Sequence, residues 1–264
     1  MSVTIRTILE DLMGTMEQID ETVDTLKPGN PETVITGMIT AFSATQYVVE
    51  RAVAMNANLL ITHEGVFYSH HETSEWLEGD PVYLAKRSLI ERSELAIFRY
   101  HDYWHRHQPD GIMVGLLREL GWSAYVDEQQ ATASILTIPA MTVSEAAEYI
   151  KRKLSISYVR VAGDLSQTCR HVGILVGYRG GGTMAIPLFN QHHLDLIIAG
   201  EGPEWETPEY VRDAVHQGRS NALIMLGHAE SEAPGMKYLA EVLAEKYPMI
   251  STCFIAEQPI YQLV

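Results

Sequence analysis

Residues 34–64, VITGMITAFSATQYVVERAVAMNANLLITHE, decide the fold class of this chain. Residues 33–40 are β-branched and apolar, which is typical of a buried strand. Residues 44–56 carry apolar side chains at helical spacing, and Leu59–Thr62 again has the composition of a buried strand. Because parallel strands need a long crossover connection, a strand, a helix and a strand in this order predict a parallel βαβ unit.

The same alternation of strands and helices continues along the chain. A helix is predicted at Pro81–Ser93 and a third strand at residues 95–100, LAIFRY. A later helix opens at Thr142-x-x-Glu145, the pattern of a capping box. Further strands are predicted at residues 133–138, 158–162, 172–177, 194–199, 222–227 and 250–256.

The two halves of the chain resemble each other. Residues 172–201, VGILVGYRGGGTMAIPLFNQHHLDLIIAGE, repeat the order of strand, turn, helix and strand found in residues 34–64. Each stretch is followed by a helix and a third strand. We therefore predict an α/β fold of two similar units with mostly parallel sheets, residues 1–128 and 129–264. In such sheets, binding residues follow the carboxyl ends of the strands.

Composition and charge exclude several classes of function. The 264 residues include 34 acidic and 19 basic side chains, a formal net charge of −15. This surplus disfavours nucleic-acid polymers and anionic membrane surfaces as partners, because both attract clustered Lys and Arg. The sequence has no apolar run near the roughly 20 residues of a membrane span and no secretory signal pattern. Cys169 and Cys253 form no disulfide framework, which favours a reducing, cytoplasmic location.

Side chains with metal-binding chemistry follow the predicted strands in both halves. Two pairs of these side chains, His101 with His105 and His228 with Glu232, are four residues apart and therefore share one face of a helical turn. A mixture of imidazole and carboxylate donors suits Zn, Fe, Mn or Ni better than Mg or Ca. The donors are His63, Glu64, His101, His105, Glu201, His228 and Glu232.

Each of these donors also has a purely structural interpretation. A single His at a strand end commonly bonds a loop carbonyl, and Glu64 and Glu201 could cap the turns that follow them. Asp102 could accept hydrogen bonds at a helix N-terminus. The recurrence of donors at equivalent strand ends favours a metal site.

Three motifs together resemble the Nif-three-like dinuclear-metal proteins, some of which are catalogued as type-two GTP cyclohydrolase I. The motifs are Thr62-His63-Glu64, His101-x-x-x-His105 and Gly227-His228-x-x-x-Glu232, and the resemblance extends from about residue 34 to residue 264. This chain has Glu64 where the commonest family pattern has a second His. It has His105 where that pattern has Asp, so the total donor chemistry is preserved.

The resemblance implies a role for each donor. His101 is implied as an extra ligand or as a residue that supports a ligand. Asp102 and Glu230 are available to hold the second nitrogen of a liganding His. Glu201 is the candidate catalytic group for proton transfer, and a structural hydrogen bond is its alternative role. The implied ligands of two divalent metal ions, at a site between the two units, are His63, Glu64, His105, His228 and Glu232.

Several other polar features receive no ligand role. Residues 177–182, GYRGGG, either approach an anion through backbone N–H groups or form a tight strand-to-helix turn. This loop does not fit the pattern G-x-G-x-x-G, and no Lys follows it as in a P-loop. The pairs His70-His71 and His192-His193 are interpreted as polar loop or helix-end residues.

The resemblance implies a metal-dependent hydrolase acting on a nucleotide or a related small substrate, as in GTP ring opening. It also implies a ring-shaped homohexamer. One alternative is a metal-binding oligomeric scaffold or regulatory protein without turnover. Another is a structural cluster that holds no metal.

Overall fold

In a computed structural model of the chain, the strands form two separate sheets. The structure describes residues 2–14, 16–71 and 73–264. The chain divides into two compact units. The first contains Met1–Gly111 and Met236–Gln262, and the second contains Ile112–Gly235 and Leu263–Val264. The first division therefore follows Gly111 rather than residue 128, and the chain returns to the first unit near its C-terminus.

The first unit is built on a parallel four-stranded sheet with the strand order β10-β1-β2-β3. Every residue of β1, β2 and β3 is buried, which explains their continuous apolar sequences. The strands are β1 (Gly37–Ala41), β2 (Leu59–Thr62), β3 (Ala96–Arg99) and β10 (Ser251–Phe254). The helices lying wholly in this unit are α1 (Ile5–Met13), α2 (Gln46–Ala54), α3 (Pro81–Ser93) and α4 (Asp102–Arg106).

Strand β10 belongs to the first sheet, although its sequence position places it in the predicted second half. It pairs in parallel with β1, and Ile39 lies opposite Cys253. This pairing satisfies backbone groups on the side of β1 that faces away from β2. Strand pairing between segments about 200 residues apart has no local sequence signal.

The second unit contains a six-stranded mixed sheet with the order β4-β5-β7-β8-β9-β6. The strands are β4 (Val126–Gln129), β5 (Ser134–Thr142), β6 (Arg160–Ala162), β7 (Thr168–Leu175), β8 (Leu196–Ala199) and β9 (Ala222–Met225). The helices are α5 (Gly111–Leu120), α6 (Val143–Leu154), α7 (Gly182–Gln191) and α8 (Thr207–His216), followed by α9 (His228–Lys246), within which the second division falls.

The predicted α/β class is confirmed, and the parallel pattern holds fully only in the first sheet. In the second sheet, β7, β8 and β9 are parallel to one another, whereas β4, β5 and β6 pair antiparallel with their neighbours. The predicted capping box at Thr142 and Glu145 is confirmed at the start of α6. Among the helices of the described residues, none is both long and apolar enough to cross a membrane.

The repeat places polar residues at the carboxyl ends of parallel strands in each unit. In the first unit, β2 ends at Thr62, directly before His63, and β3 ends two residues before His101. In the second unit, β8 is followed by Gly200 and Glu201. These sheet edges hold the candidate functional residues.

Candidate functional site

Three histidines come together at the sheet edge of the first unit. The ring of His63 lies 4.4 Å from that of His101 and 4.9 Å from that of His105, measured between centroids. One nitrogen from each of the three rings lies within 4.8 Å of the others. His63 is fully buried and the other two side chains are mostly buried. This three-histidine group is the first candidate metal-binding group.

Two of these rings are held by oxygen acceptors at Nδ1. The Nδ1 of His63 lies 3.3 Å from the carbonyl oxygen of Tyr100, and the Nδ1 of His105 lies 2.8 Å from a carboxylate oxygen of Asp110. Because neither oxygen carries a proton, both Nδ1 atoms act as donors. The lone pair of each neutral ring is therefore on Nε2, the atom available to a metal.

His101 is held in the same way by Asp102, the role that the sequence predicts for this carboxylate. The distance from His101 Nδ1 to Asp102 Oδ1 is 2.8 Å. The other carboxylate oxygen accepts hydrogen bonds from the Thr22 hydroxyl at 2.9 Å and from the Val23 amide at 3.1 Å. These hydrogen bonds, with that from His101 the largest, hold the pKa of Asp102 well below its usual range. Asp102 is therefore a charged acceptor at neutral pH.

Asp24 positions the segment that carries His101. One of its oxygens accepts from the backbone amides of His101 and Asp102, at 2.7 and 2.9 Å, and the other accepts from the amide of Tyr103 at 2.9 Å. These amides form the N-terminus of α4, where helix N–H groups have no partner within the helix. A buried carboxylate thus caps α4 from a distant part of the chain.

Removing the acceptor of His105 is expected to weaken metal binding. We expect Asp110→Ala to reduce affinity for a divalent ion about 10- to 100-fold, because the ring loses the contact that sets its tautomer and orientation. Asp110→Asn should have a smaller effect, since its amide oxygen still accepts a hydrogen bond. Competition titration against a chromophoric chelator measures both dissociation constants. Equal affinity of wild type and Asp110→Ala would contradict the assigned role.

Glu64 belongs to a second donor group in the first unit. A carboxylate oxygen of Glu64 and one nitrogen each of His70 and His101 lie within 4.8 Å of one another. Glu64 Oε2 accepts from Nη2 of Arg99 at 3.0 Å and from the amide of Gly65 at 3.3 Å. The sequence predicts only a polar loop or helix-end role for His70, and the structure places it among these donors.

In the second unit, His228 lies between two carboxylates. Its Nδ1 is 2.9 Å from Glu201 Oε1, and its Nε2 is 3.1 Å from Glu232 Oε2. Burial lowers the pKa of His228, but Glu232 and Glu201 outweigh burial and raise that pKa to about 9. Without metal, His228 is therefore protonated at neutral pH, and a metal has to displace this proton. This contact is the structural hydrogen bond that the sequence leaves open for Glu201, and it involves Glu201 rather than Glu230, the acceptor that the sequence offers.

The glycine-rich loop after β7 makes room for this histidine and its partners. Gly177 has φ +57°, and a Cβ atom there would lie 2.1 Å from Oε1 of Glu232. The Gly177 amide donates to the Ser231 hydroxyl at 2.8 Å, and that hydroxyl donates to the His228 carbonyl at 2.8 Å. Of the two roles left open for this loop, the contacts support the tight turn.

The residues present fit a divalent transition metal or zinc. The first unit offers three imidazoles whose lone pairs are on Nε2, and the second unit offers an imidazole and the carboxylate of Glu232, which is 3% exposed at its side chain. Imidazole nitrogens with a few carboxylate oxygens are the usual ligands of Zn, Fe, Mn and Ni. A buried carboxylate beside imidazoles is costly unless a cation compensates it.

The structure therefore brings together four of the six predicted ligands in the first unit. His228 and Glu232 lie in the second unit, one helical turn apart on α9. Sequence reasoning missed four residues that hold or join these groups, and none of them belongs to a recognisable local motif. They are Asp24, His70, Arg99 and Asp110.

Comparison with known proteins gives relatives of similar length. The chain is 24% identical over 229 residues to a Clostridium perfringens protein named GTP cyclohydrolase 1 type 2 homolog, covering 84% of this chain and 82% of that protein. A Chlamydia trachomatis protein of the same name is 24% identical over 238 residues, covering 89% of this chain and 90% of that protein.

Solved structures share the fold over almost the full length. A Bacillus cereus protein described as related to NIF3 matches with a TM-score of 0.76 at 14% identity, covering 100% of this chain and 99% of that chain. A Staphylococcus aureus hypothetical protein matches with a TM-score of 0.74 at 18% identity, covering 99% of both chains. The family profile described as Duf34/NIF3 (NGG1p interacting factor 3) matches residues 4–259. The resemblance seen in the sequence motifs is thereby confirmed: the protein belongs to the Duf34/NIF3 family.

Proposed function

We propose that this protein is a metal-dependent hydrolase with two divalent metal ions as cofactors. Its substrate is a nucleotide or a related small phosphorylated or heterocyclic molecule, in a reaction like that of a GTP cyclohydrolase. The ions are Zn, Fe, Mn or Ni. The proposed ligands are His63, Glu64, His101, His105, His228 and Glu232.

The observation that carries this proposal is the arrangement of the three histidines of the first unit. Their rings lie 4.4 to 5.0 Å apart between centroids. Each ring donates from Nδ1 to an oxygen, so that Nε2 is the metal-binding atom on all three. A set of histidines that only fills space has no reason to share one tautomer. Three protein ligands also leave a position for water or substrate on the metal.

The chain's own groups supply positioning and proton transfer. When bound, a divalent ion polarises substrate oxygens and lowers the pKa of water, which is the basis of hydrolysis at neutral pH. Asp102 and Asp110 keep the rings of His101 and His105 in the metal-binding tautomer. Glu201 holds the proton at Nδ1 of His228, and its side chain is 42% exposed. We propose Glu201 as the group that takes a proton from the attacking water and delivers it to a substrate atom, while His228 keeps its Nδ1 proton.

The names of the curated relatives support a nucleotide-like substrate, and the proposed ions remove an objection to it. The curated relatives are named GTP cyclohydrolase 1 type 2 homologs. The net charge of −15 disfavours anionic ligands in general, but two divalent ions bring four positive charges and dominate the local field. A homohexameric assembly and a cytoplasmic location belong to the same proposal and rest on the resemblance and on cysteine usage.

The proposal is tested by metal analysis together with an assay panel. Protein purified without chelator is expected to contain at least one divalent ion per chain. It should turn over a substrate in a panel of GTP cyclohydrolase, phosphatase and phosphodiesterase assays. Chelation should remove this activity, and one of the four candidate metals should restore it.

The panel also separates the alternatives. Activity that persists after complete metal removal would overturn the proposed function. Bound metal without turnover of any panel substrate would favour the metal-binding scaffold. Protein that never binds a divalent ion would favour the structural cluster.

A further inference from the structure

The second donor group of the first unit already contains a positive charge. Nη2 of Arg99 lies 3.0 Å from Glu64 Oε2 and 3.0 Å from His70 Nδ1. Those two acceptor atoms are 3.7 Å from each other. The guanidinium N–H groups therefore occupy the position from which a metal ion would bind Glu64 and His70.

Arg99 is held firmly in this position. It is the last residue of β3, its side chain is 1% exposed, and its Nε donates to the carbonyl of His63 at 3.2 Å. Its Nη1 donates to the carbonyl of His70. A buried side chain with these backbone contacts cannot move aside without leaving carbonyl groups unsatisfied.

The proton arrangement of His70 differs from that of the three-histidine group. Arg has donors and no acceptor, so His70 Nδ1 accepts the hydrogen bond from Arg99. The proton of the neutral ring is then on Nε2. Neither nitrogen of His70 offers a lone pair to a metal, whereas His63, His101 and His105 each present Nε2.

Repulsion between charges also disfavours a metal ion at Glu64 and His70. A divalent ion bound by Glu64 and His70 would lie beside a buried guanidinium, which stays protonated in proteins. Repulsion between like charges is strong where burial lowers the effective dielectric constant. The same guanidinium compensates the charge of Glu64, whose side chain is 18% exposed. The carboxylate therefore needs no second ion on its Oε2 side.

We infer that the Arg99 guanidinium is the fixed cation of the Glu64–His70–His101 group, so that the first unit takes one divalent ion, at His63–His101–His105, and not two. This inference rests on the proposed metal dependence. It makes Arg99 a positioning residue that replaces a metal ion at the second group.

The test counts metal ions in the first unit alone. A full-length His228→Ala/Glu232→Ala background removes the candidate ligands of the second unit. Cobalt titration followed by absorbance, and elemental analysis after gel filtration, give the number of ions per chain. The background is expected to bind one ion, and adding His70→Ala should leave that count at one. Adding Arg99→Gln should add a second, weaker binding step to the cobalt titration, because Glu64 and His70 are then free to bind an ion. Adding His70→Ala to that variant should remove this second step.

Arg99→Lys is the matched control, because it keeps a buried cation and should leave the count at one. Circular dichroism and thermal unfolding establish whether each variant is folded. If Arg99→Gln does not fold, the His70→Ala result decides, because a count that falls on removing His70 means that His70 is a ligand and overturns the inference. A folded Arg99→Gln variant that gains no ion also overturns it.

The test separates this inference from the proposed function. If neither the wild-type protein nor the His228→Ala/Glu232→Ala background binds an ion, the metal-dependent function is refuted. In that case a His70-dependent ion gained with Arg99→Gln still supports the role of Arg99, and no gain overturns it.

Discussion

Replacing His105 by Ala is expected to remove the metal ion of the first unit and, with it, turnover. The remaining imidazoles of His63 and His101 form only a two-nitrogen set. Losing contacts behind a ligand costs about 10- to 100-fold in affinity, so losing the ligand itself should cost about 100-fold or more. Elemental analysis and competition titration measure the loss of metal. The loss of turnover is measured with whichever panel substrate the wild-type protein turns over.

The structure also provides a control for this variant. His71 is exposed, and its ring lies next to that of His70 at 5.2 Å between centroids. His71→Ala removes an imidazole from the same region without touching the three-histidine group, so metal content and turnover should equal those of wild type. If His105→Ala kept full metal content while His71→Ala lost it, the assignment of the metal-binding group would be wrong.

Gly177→Ala is expected to disrupt the second unit's His228–Glu232 pair and to destabilise the fold. The added Cβ would lie 2.1 Å from Oε1 of Glu232 and 3.2 Å from Nε2 of His228. Glu232 is buried and cannot swing away cheaply. A left-handed φ of +57° adds about 1–2 kcal/mol for a non-glycine residue, and overpacking adds about 1–3 kcal/mol. We therefore expect a loss of about 2–5 kcal/mol in the free energy of unfolding, together with weaker metal binding.

Gly218→Ala separates steric clash from backbone strain. Gly218 also has a positive φ, +77°, and among the described residues no atom lies within 4 Å of the position of its Cβ. Its substitution should cost only the backbone penalty of about 1–2 kcal/mol and leave metal binding unchanged. Urea denaturation of the metal-free proteins measures both losses. Equal losses for the two variants would show that the contact with Glu232 has no energetic weight.

Much of the fold follows from local sequence. Strand β2 and helix α3 have the predicted bounds, because a buried apolar run and an N-terminal Asp-Pro cap act within a few residues. The capping box of α6 is equally local. Strand β4 was not predicted, because its four residues are mostly exposed and polar and pair antiparallel with β5. The position of β10 beside β1 depends on pairing across the whole chain.

Part of the candidate site is likewise predictable from local sequence, and part depends on residues that are distant along the chain. His63, His101 and His228 were found from sequence because each follows the carboxyl end of a parallel strand, where an α/β sheet exposes its functional side chains. Asp24 was missed because it lies 77 residues before His101 along the chain. In the sequence, Arg99 is one polar residue at the end of an apolar strand. Only its burial and its contact with Glu64 in the folded structure show that it compensates the charge of that carboxylate.

The sequence therefore identifies the candidate donor residues other than His70, since strand ends and helical spacing are short-range patterns. Their tautomers, their charge partners and the occupation of the second group by Arg99 depend on side chains brought together from segments up to 80 residues apart. Hydrogen bonds and burial act through space and leave no periodic trace along the chain. For this reason the sequence predicts a metal-binding chemistry, whereas only the folded structure places the guanidinium of Arg99 beside one of the donor groups.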